Sequence, residues 1–562
     1  MQKRGVFFQY AALIPLLVVV IAPDISTGSE MEILKYSFDI SATPRQEWYP
    51  SISYNSLDDE FMLLWHTSGK LRNDCDPGDD DECITDFHTI HGQRVSPRGQ
   101  LLGKPFQLSP PEEGWKTLPK SAYNVNRNEY MVTFSSGPEF LGQSVYTMKI
   151  NNKGTILDEP SLLPIDQYAV SHPGIRFNPA EQEYLVVLND TLPTSSEEQA
   201  IDNFGIILDE DGGLVSGPTI VGSTPGWQFN PQLIYNSVDN THLVVWEDFR
   251  HVEWILDNCD LYGALLDTNG NTIGGEFPVI DDFGMADEGS QQNQYIAYNP
   301  DMNEFLVSWG SDEQASLEAW GGIVGRILNG DGTPKGEPFV ISDEPKPQHS
   351  SQAVYVEKEK KYFVVWADSR NDTEMQPGEP FYMSSQVDIY GKWLEPSGAA
   401  AGPDIPVCTE EGVQAWPTLA YSPDKDRLLI AWHDLNAPGD YDIIEGGGGG
   451  MVFTFPSDVR ATLYGVPAST TTTTSVEPST TTTVQNPCAA LNIYGEHSKE
   501  VELLRYVRDN ILDKTSGGQE LIKLYYEWSP AIVKAMEKDD GIKEEVKELI
   551  NGVLGLVGEE VE

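Results

Sequence analysis

The chain has 562 residues, 39% of them hydrophobic, which is enough for two to four ordinary domains or for one large repeat domain with additions. Its 36 Lys and Arg stand against 87 Asp and Glu, a formal charge of −51. That surplus excludes nucleic acid and anionic membrane surfaces as partners, because both are polyanions. It fits solubility in a salty or extracytoplasmic setting, basic partners, or divalent cations.

The N-terminus reads as a secretory signal over residues 1–28. Lys3 and Arg4 supply the positive charge, an apolar run follows from Ala11 to Ala22 with Pro15 inside it, and Pro23 to Glu30 is polar. The run is short for a membrane span, and cleavage is expected between Ala22 and Gly28. An uncleaved anchor is the alternative. The expected location is exported: extracellular, cell surface or periplasmic. Cys75 and Cys83 bracket the loop CDPGDDDEC, where a local disulfide suits an oxidising compartment. Cys259, Cys408 and Cys488 cannot be paired from sequence, and no Cys/His spacing suggests zinc.

From residue 50 onward one motif recurs: an apolar strand ending in Tyr or Phe, a polar turn, then a strongly apolar strand ending in Trp. PSISYNSLDDEFMLLW (Pro50–Trp65), PQLIYNSVDNTHLVVW (Pro231–Trp246) and PTLAYSPDKDRLLIAW (Pro417–Trp432) are the clearest copies. The marker pairs are Tyr54/Trp65, Tyr123/Phe134, Phe177/Leu188, Tyr235/Trp246, Tyr298/Trp309, Tyr355/Trp366 and Tyr421/Trp432, each eleven residues apart. Their first members are 69, 54, 58, 63, 57 and 66 residues apart, room for four short strands. A rigid hairpin inside a varying period places the insertions elsewhere in each repeat. Copies of the second half, such as YGALLDTNGNTIGGEFPVI (Tyr262–Ile280), carry tight turns at Asn and Gly. Seven four-stranded antiparallel units bury both faces by stacking around an axis, so the fold class is an all-β seven-bladed propeller over residues 31–466. The marker aromatics are then packing residues between blades.

Ring closure is legible too. YSFDIS (Tyr36–Ser41) matches the fourth strands FQLS (Phe106–Ser109) and FVIS (Phe339–Ser342), so an N-terminal strand is expected to complete the seventh blade. MVFTF (Met451–Phe455) is the expected third strand there, and VRATLYG (Val459–Gly465) has no assigned role. Residues 467–487 are a Thr/Pro/Ser-rich linker. Residues 488–562 form a small helical unit with apolar stripes such as Leu503, Leu504, Val507 and Ile511.

Two resemblances follow from quoted residues. Cys488–Pro530, with Cys488, Tyr494-Gly495, Leu504-Arg505, Arg508-Asp509, Gly518, Tyr525-Tyr526 and Ser529-Pro530, resembles the CFI-box C-terminal domain of exported bacterial proteins. It departs where Ala489-Ala490 follow the Cys. The resemblance implies a terminal module for surface retention or interaction. The propeller resembles exported bacterial repeat propellers with WxDxR and DIYG elements, present as WEDFR (Trp246–Arg250), WADSR (Trp366–Arg370), DLYG (Asp260–Gly263) and DIYG (Asp388–Gly391).

The loops between second and third strands are long and acidic, and they gather on one face. Asp248, Asp368 and Asp434 lie two residues past their marker Trp; Asp260 and Asp388 begin third strands. As oxygen ligands these residues suit Ca2+, the one cofactor the sequence suggests. The structural alternative has each Asp capping its loop or pairing with Arg250 or Arg370. Trp48, Trp115, Trp227 and Trp416 fall near the starts of first strands and are ligand-binding candidates that stack on sugars, or else seal blade junctions. His66, His349 and His433 read as loop or surface residues. The expected function is a non-enzymatic exported scaffold, monomeric, binding a protein or carbohydrate on the long-loop face. The alternative is a secreted propeller glycan hydrolase or lyase using carboxylates on that face.

Overall fold

The eleven-residue spacing is set by a turn. In the fourth repeat, Gln228–Asn236 and Thr241–Asp248 pair as an antiparallel hairpin. The Tyr235 hydroxyl donates across the turn to Oδ1 of Asn240 at 3.0 Å. Asn240 has φ +54°, a left-handed conformation that Asn tolerates. Asn236 Oδ1 accepts from the N–H groups of Val238 and Asp239 at 2.9 Å, which fixes the turn from inside. The same reach joins Tyr54 to Asp59, Tyr123 to Asn128, Tyr298 to Asn303 and Tyr421 to Asp426. One residue more or less in the turn would break it.

The same amides tie three of the repeats to the next. Asn55 donates to Asn128, Asn178 to Asn240 and Asn236 to Asn303, each at 2.9 Å. Ser422 donates to Asp59 at 2.6 Å and carries this girdle from the last repeat back to the first.

The computed structural model describes residues 31–41, 47–68, 88–109, 115–137, 143–164, 171–190, 201–222, 224, 226–250, 259–280, 291–311, 321–375, 384–435, 443–445, 451–453 and 457–465. They lie within one compact unit, Glu30–Ala468. The expected signal segment, Thr-rich linker, helical C-terminal unit and Cys75–Cys83 disulfide fall outside the described residues.

Seven four-stranded antiparallel sheets form the seven blades of a propeller. Blades 1 to 6 span 47–107, 115–162, 171–222, 228–280, 291–342 and 348–408. The first strand of each blade touches the first strands of both neighbours, and that of blade 7 touches that of blade 1. First strands therefore surround the axis, and fourth strands such as Leu101–Gln107 are exposed at the rim. Between consecutive blades lies an apolar cluster, and each marker residue fills the one toward the preceding blade: Trp65 packs against Leu429 and Ala431, Trp246 against Leu185 and Val187, Trp432 against Val365 and Ala367. The five marker Trp side chains are all fully buried.

Blade 7 consists of Val413–Ser422, Arg427–Leu435, Ser457–Gly465 and the N-terminal strand Glu32–Ser41. The expected closure by the N-terminus is present, with Phe38 opposite Ala461. The third strand differs from expectation. It is the segment containing VRATLYG, whereas Met451–Phe453 pairs with Ile443–Glu445 in a separate two-stranded hairpin. The reason is packing: Val459, Ala461 and Leu463 fill the junction with blade 1 and Tyr464 that with blade 6.

Candidate functional site

Each first strand is broken near its start by a bulge, where a residue with positive φ shifts the register. The residue stands five positions before the marker Tyr or Phe: Tyr49, Leu118, His172, Asn230, Asn293, Ser350 and Trp416, with φ between 46° and 55°. In five blades Pro follows it. A bulge turns a side chain out of the ladder's alternation, so these seven positions form a ring at the long-loop end of the axis. The residue after each marker Trp lies on the adjoining second strand: His66, Ser135, Asn189, Glu247, Gly310, Ala367 and His433.

Blades 6, 7, 1 and 2 place aromatic and imidazole rings here. Trp416 lies 4.6 Å from His433 and 5.2 Å from Tyr49 between centroids, and His349 lies 6.4 Å from Trp416. Trp48 meets His433 edge-on at 5.2 Å. Tyr49 continues to His66, His66 to His88, and His88 stacks on Trp115 at 4.2 Å. Trp48, Tyr49, Trp115, Trp416 and His349 are half-buried, whereas His66, His88 and His433 lie buried behind them. Burial holds His433 and His349 down to about 3 and His88 to about 4, so these imidazoles are neutral at pH 7. Burial pushes the Tyr49 phenol up to about 12. Neither ring nitrogen of His433 has a hydrogen-bond partner among the described residues.

Blades 4 and 5 face this wall with polar groups. In a ring of seven, blade 4 lies opposite the junction of blades 7 and 1. Its Glu247 is half-buried, and its Oε1 accepts from Asn230 Nδ2 at 3.1 Å and from the Asn293 N–H at 2.8 Å. Burial raises its carboxyl above the ordinary range, those two bonds opposing the shift. Oε2 takes no hydrogen bond among the described residues.

Three of the four Trp candidates thus join one constellation. Trp227 stands apart: it packs against Phe229 at 5.3 Å, and its carbonyl accepts from Phe249 N–H, sealing blade 4 to its own loop. The three His residues read as loop or surface are in strands, His66 within Glu60–Ser68, His349 within Gln348–Val356 and His433 within Arg427–Leu435. The second strands run past their marker Trp, which carries His66 and His433 inward, and the first strand of blade 6 begins before His349.

The repeated aspartates have local partners. Asp248 accepts the Trp246 indole N–H at 2.8 Å and takes Arg250 through both oxygens at 2.7 Å. Arg250 lies 3.5 Å over the Tyr262 ring and also reaches Glu276. Asp368 repeats the arrangement with Trp366, Arg370 and Tyr390. Asp434 does so with Trp432 and with Arg460, which comes from the third strand at the place of the Tyr. WxDxR and D-x-Y-G are therefore two halves of one structural unit. In blade 5, where Ser311 replaces the Asp, the Trp309 indole turns to Gln291 at 2.6 Å. Asp260 lies opposite Asp248 and Asp388 opposite Asp368. Asp388 accepts from Asn371 and Gln386, and burial raises it to about 6. Asp190 and Asp202 form a further pair of this kind in blade 3 that the marker pattern missed, because Leu188 stands in place of Trp. Among the described residues no three or more His, Cys, Asp or Glu are grouped to hold a metal ion. Cys259 and Cys408 are buried, and the Cys259 thiol donates to the Gln291 carbonyl at 3.2 Å.

No known protein family and no curated relative matches the chain. Among solved structures it is similar to a protein of unknown function from Dyadobacter fermentans, at 12% identity over 63% of this chain and 95% of that one, with a TM-score of 0.42. It is similar to the polysaccharide lyase Uly1 at 10% identity over 80% and 95%, TM-score 0.42. An alpha-L-arabinanase from Penicillium chrysogenum, complexed with arabinobiose, matches at 11% identity over 76% and 98%, TM-score 0.38. The architecture of this chain rests on its own strand pairing, and its functional reading on the axial residues.

Proposed function

We propose that the chain acts on a glycan at the long-loop end of the axis, as a propeller hydrolase or lyase. The observation that carries this is the asymmetry of the ring: half-buried Trp48, Tyr49, Trp416 and His349 on one side, and Glu247 with a raised carboxyl on the other. Aromatic faces stack on the apolar faces of sugars. Asn230 and Asn293 supply directed hydrogen bonding beside them. Glu247, pinned through Oε1, keeps Oε2 to donate a proton to a leaving oxygen and, once ionised, to take one back from the attacking water. The buried aspartates of the WxDxR units supply neither role, because their oxygens already serve Trp and Arg.

The proposal includes export, which rests on the apolar run Ala11–Ala22 and is checked by N-terminal sequencing of secreted protein. It also includes calcium at the acidic long loops as a structural ion, checked by titration of metal-free protein. The central test is a panel of polysaccharides assayed for new reducing ends and for ultraviolet-absorbing unsaturated products. Glu247→Gln is expected to keep glycan binding and lose turnover, and Trp416→Ala to weaken binding at least tenfold. Binding without turnover in the wild type would return the chain to a non-enzymatic scaffold. Absence of any glycan binding would overturn the proposal.

A further inference from the structure

Arg94, Arg127, Arg250, Arg370 and Arg460 each end on a carboxylate. Lys120 and Arg176 do not. Lys120 is on the first strand of blade 2, Trp115–Asn124, and Arg176 on that of blade 3, Ser171–Asn178; the two strands are neighbours beside the axis. Both side chains are half-buried. Among the described residues the Lys120 side chain has no hydrogen bond or ion pair, and the side-chain hydrogen bond of Arg176 goes to the Ile175 carbonyl at 2.9 Å. The groups around them add no negative charge. His172, on the bulge of blade 3, is held to about 4 by burial and by Lys120. His242 is held to about 4 by burial and by Arg176. Burial and Arg176 push the Lys120 ammonium down to about 8.

Two like charges withdrawn from water side by side are costly without an anion between them. The repeat does not demand them. The places of Lys120 in the other blades hold Ser51, Gly174, Gln232, Tyr295, Gln352 and Thr418, and those of Arg176 hold Ser53, Ala122, Ile234, Ala297, Val354 and Ala420, all uncharged. Of the chain's 87 acidic residues, none that is described forms an ion pair with Lys120 or Arg176, and burial and Arg176 alone account for the Lys120 shift.

We propose that Lys120 and Arg176 form an anion site in the axis, and that the glycan bound at the aromatic wall is an acidic one whose carboxylate or sulfate group is held there. The proposal rests on the glycan reading above and adds the substrate class. A guanidinium offers a two-pronged grip on a carboxylate or sulfate, and the ammonium adds a point charge. The net charge of −51 repels polyanions at long range, so the pair acts on a single anionic group already delivered by stacking.

The test follows thermal melting of the full chain in sodium sulfate, sodium glucuronate or glucose, at ionic strength held constant with sodium chloride. Sulfate stabilises proteins generally through exclusion from their surface, so the readout is the difference between wild type and Lys120→Met. The wild type is expected to gain melting temperature along a saturating curve. Lys120→Met is expected to melt no lower than wild type without anion and to need at least tenfold more anion for half its effect. Arg176→Met serves as the second variant should the first fail to fold. A response to glucuronate alone assigns a uronate, to sulfate alone a sulfate ester, and to both the shared anion chemistry. Parallel curves for wild type and variant would overturn the anion site. If neutral glycans still bind in a Trp416-dependent way, the glycan reading survives that result; if no glycan binds, both fall.

Discussion

Asp368→Ala removes three hydrogen bonds at once: from Trp366 Nε1 at 2.8 Å, from the Arg370 N–H at 2.8 Å and from Arg370 Nη2 at 2.6 Å. The carboxylate is fully buried, so water does not replace it. An indole N–H left buried without an acceptor costs about 1–3 kcal/mol. Removing one half of a buried ion pair costs about 3–5 kcal/mol when the other half is stranded. Here Arg370 keeps Asp404 at 2.8 Å, Glu344 at 3.3 Å and its seat over Tyr390, which cuts that second contribution to about 1–2 kcal/mol. The expected loss is about 2–5 kcal/mol. Asp368→Asn keeps one acceptor oxygen for the indole and Arg370 Nη2, which share Oδ2, and leaves the Arg370 N–H facing an amide NH2, so about 1–3 kcal/mol is expected. Urea unfolding followed by tryptophan fluorescence measures both, with stability taken by linear extrapolation. The reasoning fails if Asn costs as much as Ala, or if Ala costs under about 1 kcal/mol. The same pair bears on calcium: Asp368→Asn is expected to keep any calcium response of the wild type, and losing it would make Asp368 a ligand.

Deleting residues 1–41 takes the fourth strand from blade 7 and exposes the edge of Ser457–Gly465, so a truncated chain is expected to aggregate or melt well below the full chain on size exclusion and calorimetry. Asn240→Ala loses the bonds from Tyr235 and Asn178 and strains a residue at φ +54°; about 2–3 kcal/mol is expected, against about 1–2 for Asn240→Gly, which keeps the conformation. Equal losses would show that the girdle, and not the turn geometry, sets the cost. Acid sensitivity follows from the buried imidazoles. His433 is held near 3 against 6.5 unfolded, so as pH falls below 6.5 the unfolded chain binds a proton that the folded one refuses, and stability drops down to about pH 3. Asp388 and Asp434, raised to about 6, work the other way, since the folded state binds their protons first as pH falls from 6 to 3.8. His433→Gln is therefore expected to flatten the acid limb by about 1.4 kcal/mol per pH unit between pH 6 and 4, read from urea unfolding at stepped pH; an unchanged limb would put His433 in contact with water.

The blade count and the ring closure were legible because they depend on local chemistry repeated many times. A Tyr or Phe and a left-handed residue five positions later recur at every turn, with Asn after the aromatic in most, and a Trp, Phe or Leu recurs where each junction is filled. The third strand of blade 7 was not legible, because Arg460 replaces the Tyr and Ala461 the Gly of D-x-Y-G. Glycine elsewhere sits where a side chain would collide: a Cβ on Gly391 would lie 2.7 Å from the Phe363 ring. The aspartates were visible as a pattern, but their partners came only with the fold, which joins Arg370 to the Tyr390 ring across two strands. His66 and His433 were misread because a His just beyond a strand's last hydrophobic residue looks like the start of a loop, and His349 because it lies in a polar run before its strand's first hydrophobic residue. Tyr49 and Glu247 gave one faint signal each, a bulky residue before Pro and a charge directly after the marker Trp.

Where the girdle forms, its chemistry repeats: a Tyr hydroxyl meets an Asn or Asp in blades 1, 2, 4, 5 and 7, and an Asn amide of blades 1, 3 and 4 meets the Asn of the next blade. Such repetition is what equivalent junctions require. The position directly after the marker Trp behaves otherwise. It holds two imidazoles, a carboxyl, a hydroxyl, an amide, a glycine and an alanine, and the places of Lys120 and Arg176 are charged in one blade each. A packing role would hold such positions to one size and polarity, since every junction has the same shape. Their divergence means that the ring is used as a frame on which seven different groups are presented to one space. The pairing of opposites across it, neutral rings at blades 6 to 1 and Glu247 at blade 4, has a direction that no repeat unit has. A ligand bound there has one orientation, and the contrast between Trp416→Ala and Glu247→Gln reads that orientation directly.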